Sequence, residues 1–252
     1  MKTARKIYFA SDMHFGSDAF ENPPDAERRF VRWLDSIKGD AAALYLLGDV
    51  FDFWFEYKQV VPRGFVRFLG KIAEMSDAGI EIHFFIGNHD IWVTDYLSKE
   101  AGMIVHREPL RTQINGKTFF LAHGDGLGDV SPSFKWLRWI FHNRICRILF
   151  AALHPRWGVG LGYVWSKHSR KKKMLHPAPY FGEDKEHLAL YAKEYIREHP
   201  DTDYLIFGHR HILLDLKLSP QSRMMIIGDW LQYFSYAVFD GEELSLEQFE
   251  TE

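Results

Sequence analysis

Short apolar runs that stop abruptly at polar residues recur along this chain. Residues 6–10, 41–47, 80–86, 117–122 and 204–207 are each long enough for one buried strand. Between the first three, the spacing is helical. Phe30, Val31, Leu34 and Ile37 predict a helix over 25–37, and Phe65, Phe68, Leu69 and Ile72 predict one over 65–78, with Gly79 as its stop. A short helix is expected over 92–101, before Gly102. Strand and helix therefore alternate, which predicts a parallel sheet covered by helices. The second half reads differently. Residues 110–114 and 117–122 flank Asn115-Gly116, a hairpin signal. A helix is expected over 184–198, where Leu188, Tyr191, Ala192 and Tyr195 are spaced for burial and Pro200 follows. Segments 213–218, 223–228, 233–240 and 244–249 read as a meander of short strands. The expectation is an α/β protein, a two-layered sheet sandwich with helices outside.

At 252 residues, with 46% hydrophobic content, one large domain spanning 1–252 is the simplest organisation. The single cysteine, Cys146, excludes an internal disulfide framework and fits a reducing compartment. The first residues run straight into a strand, and no apolar stretch approaches the roughly 20 residues that span a bilayer. A cytoplasmic protein is expected, with surface attachment to a membrane still open. The net charge of -3 conceals a division. No Asp or Glu occurs over 130–182, which holds ten of the 31 basic residues and leaves 21 against all 34 acidic ones elsewhere. An acidic body carries one basic segment.

The polar endings of the apolar runs hold the chemistry. They are Asp12-x-His14, Gly48-Asp49-x-x-Asp52, Gly87-Asn88-His89-Asp90, His123-Gly124-Asp125 and Gly208-His209-x-His211. Any one of these is commonplace, since a strand-terminal Asp is more often a helix cap than a ligand. As an ordered set, Asp12, His14, Asp49, Asn88, His123, His209 and His211 offer seven oxygen and nitrogen donors without a thiolate. That mixture suits Mn²⁺, Fe or Zn²⁺ and argues against a structural zinc site. Seven donors are too many for one ion and suit two that share a carboxylate. Alternation along a strand end would place Asp12 and His14 on one side, and likewise His209 and His211.

In these five motifs, taken in order, the chain resembles the calcineurin-like metallophosphoesterases. The resemblance implies an αββα sandwich of two mixed sheets with flanking helices. It also implies two divalent cations, Mn²⁺ first, one held by Asp12, His14 and His211 and the other by Asn88, His123 and His209, with Asp49 bridging. A water shared by such a pair attacks phosphorus. In the family pattern His89 approaches the phosphoryl or leaving oxygen, and Asp52 orients it from its other nitrogen.

The substrate has to be sought in the basic segment. Phe134, Trp136, Leu137, Trp139, Ile140, Phe141, Ile145, Ile148, Leu149 and Phe150 exceed one buried stripe, and basic residues sit between them. That composition suits an interfacial amphipathic segment at anionic lipid, to which Lys171, Lys172 and Lys173 would add. An ordinary helical hairpin with a solvated basic face, or a surface for single-stranded nucleic acid, would use the same residues. Asp77-Ala78-Gly79, Glu100-Ala101-Gly102-Met103, Ser166-Lys167 and Gly228-Asp229-Trp230 narrow the resemblance, as does the position of the insertion after His123-Gly124-Asp125. They look like the branch of the family that hydrolyses UDP-2,3-diacylglucosamine in lipid A biosynthesis, releasing UMP and a lipid monophosphate. That likeness implies a helical cap at 131–175 that takes the acyl chains, phosphate contacts from Lys167 and Arg170, and a sugar contact from Asp125. It implies peripheral attachment to the inner face of the membrane. His89 and Asp52 depart from that branch, whose familiar members carry Arg and Glu there. The alternatives are another metal-dependent phosphodiesterase or nuclease, or a metal-free binding scaffold.

Overall fold

The computed structural model describes residues 5–20, 22–128, 132–175, 180 and 182–249, without the side chains of 133, 134, 137 and 169–175. Two sheets stack face to face. The first has the order β11-β10-β1-β2-β3-β4, in which β1 (Lys6–Ala10), β2 (Ala41–Leu46), β3 (Glu81–Phe85) and β4 (Ile104–His106) run parallel. β10 (Ser235–Phe239) and β11 (Leu244–Gln248) extend it antiparallel. The second has the order β5-β6-β7-β9-β8, with β6 (Lys117–Ala122), β7 (Tyr204–Phe207) and β9 (Arg223–Ile227) parallel. β5 (Leu110–Ile114) and β8 (Leu213–Lys217) pair antiparallel at its edges.

The period-two alternation of each strand sorts its side chains into layers. From β1 and β2, Phe9, Ala43 and Tyr45 face inward and meet Phe119, Leu121, Ile206 and Met225 of the opposite sheet. The intervening residues Tyr8, Ala10, Leu44 and Leu46 face outward onto Phe30, Trp33 and Leu34 of α1 (Pro23–Ile37) and Phe68 and Ile72 of α2 (Val66–Asp77). On the far side Phe120, Ala122, Leu205 and Phe207 are covered by Leu188, Ala189 and Ala192 of α7 (His187–Glu198). Both sheets are buried on both faces, which is why their strands read as near-continuous apolar runs. The α/β sandwich and the alternation of its first half are as the sequence predicts. Asn115 (φ +48°) and Gly116 (φ +78°) take the two left-handed turn positions of the β5-β6 hairpin.

Two expectations are corrected. The last four strands are not a meander. β8-β9 closes one sheet and β10-β11 the other, because the chain crosses between layers at Gly228-Asp229-Trp230. There Asp229 Oδ1 accepts from the backbone N–H of Leu231, Gln232 and Tyr233 at 3.1, 2.8 and 3.2 Å, which fixes the crossing as a tight turn. β4 was not expected, and the short helix before it is only Tyr96–Ala101 (α3).

The basic segment forms α4 (Pro132–His142), α5 (Arg144–Ala151) and α6 (Pro155–Leu175). Asn143 separates the first two, its Oδ1 accepting from Ile145 N and Cys146 N at 2.8 and 3.2 Å as a helix N-cap. The segment rests on an aromatic floor of Phe53, Phe55 and Trp92, against which Phe141, Phe150 and Tyr163 pack. Trp92 Nε1 donates to Phe141 O at 2.9 Å. No residue of α5 is buried. Among the described residues no helix is long and apolar enough to cross a membrane.

Candidate metal centre

The five polar endings converge where β1, β2 and β3 of one sheet and β6 and β7 of the other terminate. Backbone bonds stitch these loops together, with Asp12 N to Gly48 O at 3.1 Å, His14 N to Asp49 O at 3.0 Å and Gly208 N to His123 O at 3.0 Å. The ligand atoms of Asp12, His14 and His211 lie within 4.8 Å of one another, and so do those of Asp49, His123 and His209. Asn88 joins the second group, its Oδ1 3.4 Å from His123 Nε2. Asp49 Oδ2 stands 3.8 Å from His14 Nε2 and 3.3 Å from His123 Nε2, facing both groups. All seven predicted donors are thus brought together. A third group of His14, Asp49 and His89 overlaps the first two.

The convergence does not come from strand alternation, as the sequence suggested. β1 ends at Ala10 and β7 at Phe207, and the donors sit on kinks beyond them. Asp12, His14, Asp49, His209 and His211 all have left-handed backbone, with φ of +58°, +46°, +51°, +67° and +51°. A non-glycine residue pays for that conformation, histidine especially, and such strain collects at functional sites. The preceding glycines are required by close approach. A Cβ at Gly87 would lie 2.2 Å from Asp49 Oδ1, and one at Gly208 would lie 2.0 Å from Ser11 Oγ.

Four of the donors are oriented by a partner on their other side. His123 Nδ1 donates to Leu47 O at 2.8 Å, which leaves Nε2 with its lone pair toward Asp49. His211 Nδ1 lies 3.0 Å from Asp229 Oδ2, the carboxylate–histidine arrangement that fixes ring orientation at metal sites. Asp12 Oδ2 accepts from Ser11 Oγ at 2.6 Å and His209 N at 2.8 Å. Asp49 Oδ1 accepts from His89 N at 2.8 Å. The opposite oxygens, Asp12 Oδ1 and Asp49 Oδ2, are buried and have no hydrogen-bond partner among the described residues.

Sequence reasoning gave no role to Asp229 or Asp90. Asp90 is fully buried and accepts from Val50 N at 2.8 Å and Gly87 N at 2.7 Å, locking the β2 and β3 loops together. Its partners are backbone N–H groups, which leave no mark in a sequence.

The electrostatics fit a cation. Burial works against the Asp12 charge, yet His211 and His14 hold its carboxyl well below the usual range. Burial likewise opposes Asp49, but His123, His89 and His14 outweigh it and keep Asp49 ionised. Desolvation would depress His123, and Asp49 with Asp12 overcomes it, pushing the imidazole up to about 10. Two ionised carboxylates with 0% exposure demand compensating positive charge. Without a metal the proton on His123 supplies part of that charge; a divalent cation would replace it, and imidazoles with a carboxamide and two carboxylates are a donor set that fits one.

His89 approaches the same centre, its ring 4.7 Å from that of His14. Its Nδ1 is 2.9 Å from the carbonyl oxygen of Asp52 and 3.0 Å from Ser166 Oγ of α6. The Asp52 carboxylate lies 4.0 Å from that nitrogen and 3.5 Å from His14 Nδ1. Asp125 is half-buried beside His123. Lys167 is exposed on α6 and pairs with Asp18 at 2.7 Å. The Arg170 side chain lies outside the described residues.

A sequence model of the calcineurin-like phosphoesterase family matches residues 5–213, which span all five motifs. The chain belongs to the calcineurin-like phosphoesterase family. Membership implies divalent metals, and the clusters around Asp12 and Asp49 are the candidate places for them. This phosphoesterase is 50% identical over 256 aligned positions to a UDP-2,3-diacylglucosamine hydrolase of Porphyromonas gingivalis, covering 97% of this chain and 98% of that protein. It is 28% identical to the enzyme of the same name from Ectopseudomonas mendocina, again over 97% of this chain and 98% of that protein. Among solved structures, Yfce, a phosphoesterase from E. coli, is 15% identical with a TM-score of 0.45, covering 96% of this chain and 92% of that one.

Proposed function

We propose that this phosphoesterase cleaves the diphosphate of UDP-2,3-diacylglucosamine, or of a closely related lipid-linked nucleotide sugar, to UMP and a lipid monophosphate. The reading is carried by one observation, the near full-length 50% identity to a hydrolase of that name, on a chain whose seven donors converge. Asp12, His14 and His211 would hold one divalent cation and Asn88, His123 and His209 a second, with Asp49 between them. Two cations held there (Mn²⁺ on donor type, with Fe or Zn²⁺ as alternatives) would supply positive charge for phosphoryl oxygens and acidify water.

The protein's own groups then act on the leaving side. A carbonyl oxygen only accepts, so the 2.9 Å contact with Asp52 O requires the proton on His89 Nδ1. Nε2 can donate to a phosphoryl or leaving oxygen only when the ring is imidazolium. The segment 131–175 acts as a cap. Its aromatic underside accommodates acyl chains, Lys167 and Arg170 meet phosphate, and Asp125 meets a sugar. On the outside Trp136, Ile145, Leu149, Trp157 and Val164 are 64–70% exposed, beside Arg144, Arg147 and Arg156. Such an apolar and basic face suits peripheral binding to an anionic membrane, which also presents the lipid substrate.

The test is direct. Protein loaded with Mn²⁺ is offered UDP-2,3-diacylglucosamine, a simple phosphodiester and single-stranded DNA, and UMP release is followed. UMP and lipid monophosphate from the first substrate are expected, and turnover of DNA alone would remove the lipid reading. The triple change of Lys171, Lys172 and Lys173 to Glu should weaken sedimentation with anionic vesicles.

A further inference from the structure

Beside the metal centre lies a cleft of about 180 Å³ that shares a wall with it, through Gly87, His123 and Gly124. It runs outward between α4 and the chain leaving β4, with Glu108 on one side and Arg138 on the other. We propose that this cleft receives the nucleoside half of the substrate and retains the nucleoside monophosphate after cleavage. The inference rests on the diphosphate reading above and adds to it a direction.

Cleavage between two phosphates expels the leaving group opposite the attacking water, while the half that stays on the attacked phosphorus projects sideways, so the two halves leave the centre in different directions. The two sides differ in chemistry. Toward α5 and α6 lies the aromatic cluster of Phe53, Phe150 and Tyr163, with the Tyr163 phenol and Ser166, which already meets His89, as its polar groups. Toward α4 the cleft carries both signs of charge. Glu108 has no hydrogen-bond or ion-pair partner among the described residues, and the one such bond of the Arg138 guanidinium is long, to Asp125 O at 3.3 Å. Burying an alkyl chain against these groups would strip their water and return no bond.

A nucleoside returns those bonds. Its ribose hydroxyls donate to carboxylates such as Glu108 and Asp125, and base carbonyls or a phosphate accept from a guanidinium. Its flat ring also finds a match. The half-buried ring of His106 lines the cleft, backed by the buried ring of Phe85 stacked 4.6 Å from it and 22° from parallel. Burial, reinforced by neighbouring His83, keeps His106 uncharged at neutral pH, with its pKa lowered to about 4. The wall is therefore a neutral aromatic surface beside a polar rim, the usual composition of a small-ligand site.

The probe is UMP itself, titrated into Mn²⁺-loaded protein by equilibrium dialysis, with inorganic phosphate as a reference ligand that needs only the metal centre. Arg138→Ala and Glu108→Ala lie at the open side of the cleft, where truncation leaves the core intact. Each is expected to weaken UMP by about tenfold, the range of a hydrogen bond to a charged group, without a parallel loss for phosphate. Absence of UMP binding by the wild-type protein, or UMP affinity unchanged in both variants, overturns the proposal. The diphosphate reading fails separately, on the absence of UMP release from the lipid substrate. Dialysis still reports on the cleft in that case.

Discussion

The metal centre and the helical segment above it obey opposite rules. In the centre, Asp12 and Asp49 have no exposure, five donors are held in left-handed backbone, and Asp12, Asp49, His123 and His211 are gripped from behind. The strain there can persist because the surrounding sheets over-determine every loop. In the segment, no residue of α5 is buried, and Trp157 is 70% exposed. Among the described residues its attachment is an aromatic seam, the Trp92–Phe141 hydrogen bond, the contact of Ser166 with His89, the Lys167–Asp18 ion pair and a long bond from Arg138 to Asp125 O. On the proposed function the difference separates two tasks. Chemistry at phosphorus needs donors fixed to tenths of an ångström, whereas admitting a lipid needs a surface that can part from the core at small cost.

The hardest blow to this division is Asp49→Asn. It keeps the shape but removes the charge that faces both ligand groups. Metal content measured by mass spectrometry should fall, and turnover should drop by on the order of 10³-fold, the several kcal/mol of transition-state stabilisation that a cation provides. Retention of both metals and activity would mean that Asp49 is no bridge. Asp229→Asn strikes the same region one layer out, at His211 Nδ1. Its metal affinity should weaken about 10–100-fold, read by competition with a chelating dye.

Phe150→Ala probes the other region. Phe150 meets Phe53, Phe55 and Trp92 at ring separations of 6.2, 4.8 and 4.8 Å, and it lies far from any candidate ligand in the chain. Losing its burial should cost docking about 2 kcal/mol, roughly a 30-fold shift toward an undocked segment. The expected outcome is slower turnover of the lipid substrate with metal content unchanged. Loss of metal in this variant would show that the two regions are not separable.

How much could be read in advance follows the same line. The centre was legible because each donor sits directly after a strand, and strands buried on both faces announce themselves as apolar runs. What the runs could not disclose was backbone: the left-handed kinks at Asp12, His14 and His211, and the N–H groups that Asp90 and Asp229 collect. β4 escaped notice because Ile104-Val105-His106 is too short to show a period. The crossing at Gly228 was hidden because two adjacent hairpins in different sheets have the same pattern as four strands in one. In the segment the pattern itself was ambiguous, since lipid, a protein core and a nucleobase all ask for apolar residues near basic ones.

The smallest expected effect distinguishes the regions by their response to acid. On the sheet side, His83 Nδ1 and His106 Nε2 are 2.9 Å apart, with Tyr45 stacked on His83 and Glu81 3.5 Å from its other nitrogen. Burial and His83 lower His106 to about 4, and burial lowers His83 despite Glu81. A histidine depressed in the folded state stays neutral there while the unfolded chain takes up a proton. Its contribution is therefore complete above about pH 6.5 and is lost as the pH falls toward 4. The amount is about 1–2 kcal/mol, less than the full shift because the ring is partly solvated. His106→Gln should accordingly lose less stability than the wild type between pH 7 and about pH 4.5 in urea denaturation. The helical segment, without a single carboxylate over 130–182, has no internal ion pair to surrender, so the helicity of α5 and α6 should barely respond over the same range. Equal acid slopes for His106→Gln and wild type would place the sensitivity elsewhere than at this pair.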